Sequence, residues 1–407
     1  MIQIFKMAYR DLGRNRRRSF LSALALGVGL ALLLMMDSVL VGEMDTAVDA
    51  AINLQSGDLQ VRAATYDENT TSLAWEDLIA NPISIANQIG AMEQIKAATP
   101  RLFASGIVTV ADQSVGVRVI GIEPASTANA PFKDGMVGGE FITADDREGV
   151  LMGKALADKL GLDTGDTINL LVNTSNGDVA SQQFSIRGLF NTSIPGYDQS
   201  TLFMPLAKAQ AITGAQDNAS IIFINIRDRS QLEAVAKAIQ GEGYQVKTWK
   251  QLNQLLIEFE TMANSYMVWL YVIVLAITAT VIVNTLVLAV FEQTREIGIL
   301  SAVGMRSGRI MAMFFAESLL LSIGGIILGI AFGALLVAYT VNIGIYIGDF
   351  GATGILLSDR LMGGFSLPNS INLAILALIV TLVASIYPAI LAARMEPVEA
   401  LHGGKYA

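Results

Sequence analysis

Four long apolar runs interrupt the sequence, at residues 21–41, 267–290, 310–339 and 371–391. A helix crossing a hydrocarbon core needs about 20 apolar residues, and each run reaches that length. They stand as one, then three, around the polar block 43–260. The pattern predicts an α-helical membrane protein with four transmembrane helices (1+3). It also predicts a large extracytoplasmic α+β domain on helical stalks.

Periodicity subdivides the chain further. Residues 1–20 predict an amphipathic helix on which Phe5, Tyr9 and Leu12 share one face and Lys6, Arg10 and Arg17 lie elsewhere. The first span and its stalk occupy 21–55, and the second stalk and span occupy 251–290. Met44 and Val48 repeat at helical spacing in the first stalk, as do Leu256 and Phe259 in the second. These stripes predict two stalk helices packed together. Between them, 56–250 predicts two strand–helix–strand units (strands near 59–61, 102–110, 221–226 and 245–248; helices near 85–98 and 232–239). The two units pair into a split α/β lobe, with an inserted β lobe at about 115–215. A short helix at 291–309, the third span at 310–339, a loop at 340–370, the fourth span at 371–393 and a tail at 394–407 complete the chain.

Charge orients this arrangement. Residues 1–20 carry Lys6, Arg10, Arg14, Arg16, Arg17 and Arg18 against Asp11 alone, whereas 43–260 holds 15 Lys/Arg and 27 Asp/Glu. Positive charge beside a first span keeps that end in the cytoplasm. Both termini are therefore expected in the cytoplasm and the acidic block outside, in a multi-pass protein whose first span is an uncleaved signal anchor. Arg295, Arg306 and Arg309 place 291–309 inside, while Arg360 stands against Asp349 and Asp359 in the outer loop. The acidic block offers nucleic acid no basic patch. The absence of cysteine excludes disulfides and thiol chemistry.

Candidate chemistry is sparse. GVLMGKA at 149–155 is one residue short of a phosphate-binding loop, and Ala155 stands where Ser or Thr would hold magnesium. His402 is the single histidine, which leaves no histidine-based metal or catalytic cluster. Glu317 lies inside the third span near its inner edge, a costly position that predicts snorkelling or pairing with Arg309. Asp37, at the outer mouth of the first span, is expected to be hydrated. Gly325, Gly329 and Gly333 repeat every four residues in the third span, after Gly324, Ser318 and Ser322. Small residues at this spacing let helices approach closely.

The most specific segments are AYRDLGRNRRRSFL at 8–21, EQTREIGILSAVGM at 292–305 and YPAILAARMEPVEAL at 387–401. Residues 292–303 predict a short amphipathic helix with Ile297, Leu300 and Val303 on one side and Thr294, Arg295 and Glu296 polar. Gly298 allows a close approach, and Gly304 ends the helix. Such an element either docks into a groove on a partner or lies on the bilayer. Together with the 1+3 topology and VLMGKALADKLGLDTGD at 150–166, these segments resemble the permease subunits of MacB/FtsX-superfamily ABC transporters, a superfamily that includes the LolC/LolE lipoprotein-releasing permeases.

The resemblance implies a non-catalytic permease in a bacterial cytoplasmic (inner) membrane, with no cofactor of its own. ATP and Mg would reside on a cytoplasmic ABC ATPase subunit. That ATPase would be contacted through Glu292, Thr294, Arg295, Glu296, Ile297, Gly298, Leu300, Gly304 and Met305. It further implies a second permease, identical or paralogous, and admits a periplasmic chaperone or adaptor. Three activities fit: release of lipoprotein or another amphipathic cargo, efflux of small molecules or peptides, and mechanical activation of a cell-wall hydrolase. The long external block and the loop 340–370 favour the first.

Overall fold

The computed structural model describes residues 2–67, 71–241, 243–346 and 360–395. His402, Asp349, Asp359, residues 347–359 of the loop 340–370 and the tail beyond Met395 lie outside the described residues. Among the described residues, four helices are long and apolar enough to cross a membrane: Arg16–Ser56, Gln254–Glu292, Ser307–Asn342 and Leu367–Ala393. The chain divides into two compact units, with boundaries at Met44/Asp45 and Phe259/Glu260.

The helical unit is built on a tight seam. In lipid there is no hydrophobic drive between helices, so close van der Waals packing must hold them. The third apolar helix supplies it. A Cβ added at Gly325 would lie 2.7 Å from Leu26 Cδ2, one at Gly329 would lie 2.9 Å from Leu30 Cβ, and one at Gly333 would lie 2.7 Å from Leu34 Cδ1. Gly27 returns the contact, since its Cβ would meet Leu328 Cβ at 3.0 Å and Gly325 O at 3.1 Å. Gly324 is one residue out of phase, and its nearest neighbour would be Ala23 Cβ at 3.9 Å. Leu26, Leu30 and Leu33 are buried with Leu275, Ile282 and Leu286 of the second apolar helix and Leu373 of the fourth.

Polar bonds fasten the end of the bundle beyond this seam. Asp37 is buried, and its Oδ1 accepts from the Tyr271 hydroxyl (2.8 Å) and Asn369 Nδ2 (3.3 Å). Ser38 and Thr340 hydroxyls meet at 3.2 Å, and Ser38 O accepts from Gly364 N at 2.7 Å. Asp37 is therefore not simply hydrated. Donors on two neighbouring helices satisfy it, as a buried carboxylate requires.

The second unit is a mixed sheet in which Tyr244–Thr248, Leu59–Ala63, Ile221–Ile226 and Ile95–Val110 pair antiparallel in that order. Ile95–Val110 continues past them to pair with Gln113–Ile122 and Thr167–Asn173. Parallel pairs follow, Gln113–Ile122 with Thr201–Pro205 and Gly149–Gly153 with Val179–Phe190. One strand of the first strand–helix–strand unit thus pairs both with the second unit and with the β-rich segment between them.

The helix expected over 85–98 runs Pro82–Gly90 instead. Ile95, Ala97 and Ala98 are drawn into the sheet by Ile226, Asn225 and Ile224, a case of pairing overriding local pattern. Among its buried clusters, one forms on Ile222, Ile224, Ile89 and Val235, another on Leu102, Val119, Leu156 and Leu206, and an aromatic one on Phe132, Phe190, Tyr197 and Phe203. Gly149–Gly153 is a buried strand, and Lys154 Nζ pairs with Asp158 Oδ1 at 2.5 Å, so the segment is not shaped as a phosphate loop.

Asp198 is buried beside this core, accepting from Thr192 N (3.0 Å) and Thr192 Oγ1 (2.8 Å). Burial pushes its carboxyl up to about 6 from 3.8, against the pull of both Thr192 bonds. The folded state therefore binds this proton more tightly than the unfolded chain. Its contribution to stability is most favourable below the unfolded value and is lost as pH rises to about 6. Asp198→Asn is expected to flatten the stability slope between about pH 4 and pH 6 in thermal melts of the full chain. An unchanged slope contradicts the assignment.

The seam makes a second prediction. Gly329→Ala should lower stability by about 1–3 kcal/mol through overpacking against Leu30, while Gly324→Ala should be tolerated. Equal melting temperatures for both variants count against the seam.

Candidate functional site

The segment 292–305 folds as the helix Thr294–Ala302. Its end is built from backbone alone. Gly304 takes φ +94°, its N–H donates to Ser301 O (3.0 Å), and Met305 N–H donates to Leu300 O (3.0 Å). This is the paired closure that glycine permits after a helix. At the other end the Thr294 hydroxyl donates to Phe291 O at 2.7 Å and Val290 O at 3.2 Å. The short helix is thereby tied directly to the end of the helix Gln254–Glu292.

Its faces differ from the expected division. Ile297 is 1% exposed, and it packs with Val290, Ile310, Phe314 and Ala389 while Met305 covers the same cluster. Gly298 is buried too. Leu300 is half-buried, and Arg295 and Glu296 are exposed. Ile299 and Val303 are 46% and 83% exposed. Ile297 and Gly298 therefore serve the chain's own bundle, because the helix is too short to keep its whole apolar side outward. The free stripe runs through Arg295, Ile299, Ala302 and Val303.

The N-terminal helix, Ile2–Arg14, lies against the same bundle. Arg14 Nη1 pairs with Glu296 Oε1 at 2.6 Å, Arg18 Nη1 pairs with Glu292 Oε2 at 2.5 Å, and Asn15 Nδ2 donates to that oxygen at 3.0 Å. Glu296, with which it shares a hydrogen bond, raises the Arg14 guanidinium. Ala8 and Asp11 face inward, while Phe5 and Tyr9 are exposed. Glu317 is buried, and no Glu317–Arg309 ion pair is present among the described residues. Its charged surroundings are Asp11, Arg14 and Arg18.

The stalk residues separate. Val48 packs with Ile52, Trp249 and Ile257 in the core of the second unit, while Met44 and Leu256 are half-buried. Leu255 (80% exposed), Phe259, Met262 and Tyr266 form an outward apolar stripe spaced four, three and four along Gln254–Glu292.

Sequence reading missed the residues that anchor the end of the first helix in the mixed-sheet unit. After Ala50 the helix widens into a π-turn, Ala51–Ser56, a form often found at functional positions. Arg101 Nη1 (3.1 Å) and the Tyr197 hydroxyl (3.3 Å) both donate to Leu54 O in that turn. Arg101 is fully buried and stacks over Phe223 at 3.6 Å. Its Nε and Nη2 have no acceptor among the described residues. Burial lowers its guanidinium to about 10, with Tyr197 opposing. Arg229 joins Asp49 (2.8 Å) and Asp58 (2.9 Å) across the same turn. A lone arginine inside a strand carried no signal for this role.

Four apolar helices, a mixed-sheet domain between the first and second, and a short helix fastened between the second and third define a permease-type membrane protein. The family profiles agree. The MacB-like periplasmic core domain matches residues 19–242, and the FtsX-like permease C-terminal domain matches 268–397. The chain belongs to the MacB/FtsX/LolC family of ABC transporter permeases.

It is 24% identical over 326 residues to the lipoprotein-releasing system transmembrane protein LolC of Neisseria meningitidis, spanning 75% of this chain and 78% of that one. It is 27% identical over 287 residues to the macrolide export ATP-binding/permease protein MacB of Nitrobacter winogradskyi, spanning 66% of this chain but 41% of that one. The periplasmic region of MacB from Actinobacillus actinomycetemcomitans aligns with 51% of this chain and 95% of that one at 17% identity, with a TM-score of 0.34.

The anchor generates a prediction. Replacing a buried, incompletely paired charge by an apolar side chain of similar length is often neutral or stabilising. Arg101→Met should therefore leave the melting temperature unchanged or raised, while leaving the Leu54 carbonyl to the Tyr197 hydroxyl alone. Hydrogen exchange at residues 51–56 should speed up about tenfold, the loss of one bond to a charged donor. Unaltered exchange there argues against the anchor.

Proposed function

We propose that the chain is the permease subunit through which a cytoplasmic ABC ATPase drives movement of the extracytoplasmic domain, releasing or extruding a lipoprotein or another amphipathic cargo. In this reading the four helices cross the inner membrane as one, then three, with both termini and Thr294–Ala302 in the cytoplasm. The observation that carries it is the placement of Thr294–Ala302. Thr294 ties it to the second apolar helix, Ile297 buries it, the Arg14–Glu296 ion pair clamps it to the N-terminal helix, and Ile299 and Val303 stay exposed. A rigid helix with an outward apolar stripe suits docking into a partner's groove. Membership of an ABC permease family supplies the partner's class, with ATP and Mg held on that partner.

The first and second helices then act as stalks. The stripe of Leu255, Phe259, Met262 and Tyr266 has the spacing of a coiled-coil seam and would meet a second permease, identical or paralogous. Similarity to LolC proteins favours lipoprotein release. The MacB-like domain supports efflux as the second reading.

The test uses the exposed stripe, because Gly298 and Ile297 report on folding. Ile299→Asp with Val303→Asp should weaken co-purification of the ATPase subunit on the order of thirtyfold, the loss expected at an interface hot spot, with no change in melting temperature. Lipoprotein release from spheroplasts should fall in parallel. Full ATPase binding by this variant defeats the docking assignment. Intact binding and drug export without lipoprotein release selects efflux.

A further inference from the structure

The N-terminal helix and the third apolar helix enclose two adjoining cavities. One is an apolar cleft of about 320 Å³ lined by Ile4, Phe5, Phe315, Ala316, Leu319 and Leu382. The other is a wide, open crevice of about 1510 Å³ into which Lys6, Arg10, Arg14 and Arg16 contribute charge, with Asp11 on its wall. Phe5 and Leu319 line the cleft, and their sequence neighbours Lys6 and Leu320 line the crevice, so the basic space opens beside the apolar one.

The charges in the crevice are unequal. Arg14 is engaged with Glu296. Arg16 uses Nε on Gly13 O (3.1 Å), leaving its terminal nitrogens available. Lys6 and Arg10 are exposed and form no ion pair among the described residues. Asp11 is buried, and burial, reinforced by Glu296, raises its carboxyl from its ordinary value against Arg14 and Arg10. Tyr9, Phe20 and Leu21 are exposed alongside, at 73%, 56% and 62%. Aromatic and basic residues together mark the headgroup level of a bilayer.

We infer that this paired cavity is a binding site for an anionic glycerophospholipid of the surrounding leaflet. Its phosphate sits among Lys6, Arg10 and Arg16, and one acyl chain enters the cleft between Phe5, Phe315 and Leu382. A zwitterionic lipid would bring its own cation among these arginines. A free phosphate would leave the apolar cleft unfilled. The bound lipid fills the space between the N-terminal helix and the third apolar helix, and so braces the helix whose Arg14 holds Glu296. The site requires only that the apolar helices lie in a bilayer; it does not depend on which ATPase or cargo the chain serves.

The test is native mass spectrometry of the purified full chain after exposure to equimolar phosphatidylglycerol and phosphatidylcholine of identical acyl chains. The wild type should retain phosphatidylglycerol selectively. One basic side chain beside anionic headgroups changes retention roughly fivefold, so Lys6→Gln and Arg10→Gln should each lower the ratio by that factor. Ala312→Trp, which fills the cleft without touching a charge, should reduce retention of both lipids. Leu319→Trp is the second such variant, and melting temperatures confirm that each is folded. Inorganic phosphate at millimolar concentration should not displace the lipid. Equal retention of the two lipids by the wild type overturns the site. So does phosphate displacement, and so does a loss in the charge variants while both folded cleft variants bind normally.

Discussion

The hydrocarbon core sets the condition on which the rest of this protein depends. No water is available there, so each backbone polar group must be satisfied within its own helix. Burial of apolar area no longer drives one helix onto another. What remains is close packing, and Gly325, Gly329 and Gly333 provide it by leaving room for Leu26, Leu30 and Leu34. The exchange is mutual, because Gly27 makes the same room for Leu328. The first apolar helix is fixed in this way, and it continues without a break to Ala50.

The two ends of the bundle are secured by different chemistry. At one end, charged pairs join Arg14 and Arg18 to Glu296 and Glu292, largely exposed and individually weak. At the other, the buried Asp37 carboxylate accepts from Tyr271 and Asn369, both half-buried. Exposed pairs can be exchanged for a partner's groups at small cost, whereas a buried carboxylate cannot lose its donors cheaply.

The mixed-sheet unit receives the first helix through unusual local structure. The π-turn Ala51–Ser56 presents Leu54 O to both Arg101 and Tyr197, and Arg229 bridges Asp49 and Asp58 beside it. A fully buried guanidinium with incomplete pairing costs stability.

Much of this was legible in the sequence. Length and apolarity alone set the four helices, since any shorter or more polar run fails to cross. Gly304 signalled its helix end, because few residues other than glycine reach φ +94° comfortably. Strands such as Ile221–Ile226 and helices such as Leu232–Ile239 followed from their periods. Tertiary structure decided the rest. Ile95–Ala98 became strand because Ile221–Ile226 offered them partners. Ile297 and Gly298 turned inward because the bundle had a space for them, leaving Ile299 and Val303 outside. Asp37 met Tyr271 and Asn369 across 234 and 332 positions of sequence, and Arg101 met Leu54 across 47. Periodicity records which face of an element is apolar, but pairing between distant side chains depends on where other elements lie, and no local pattern encodes that.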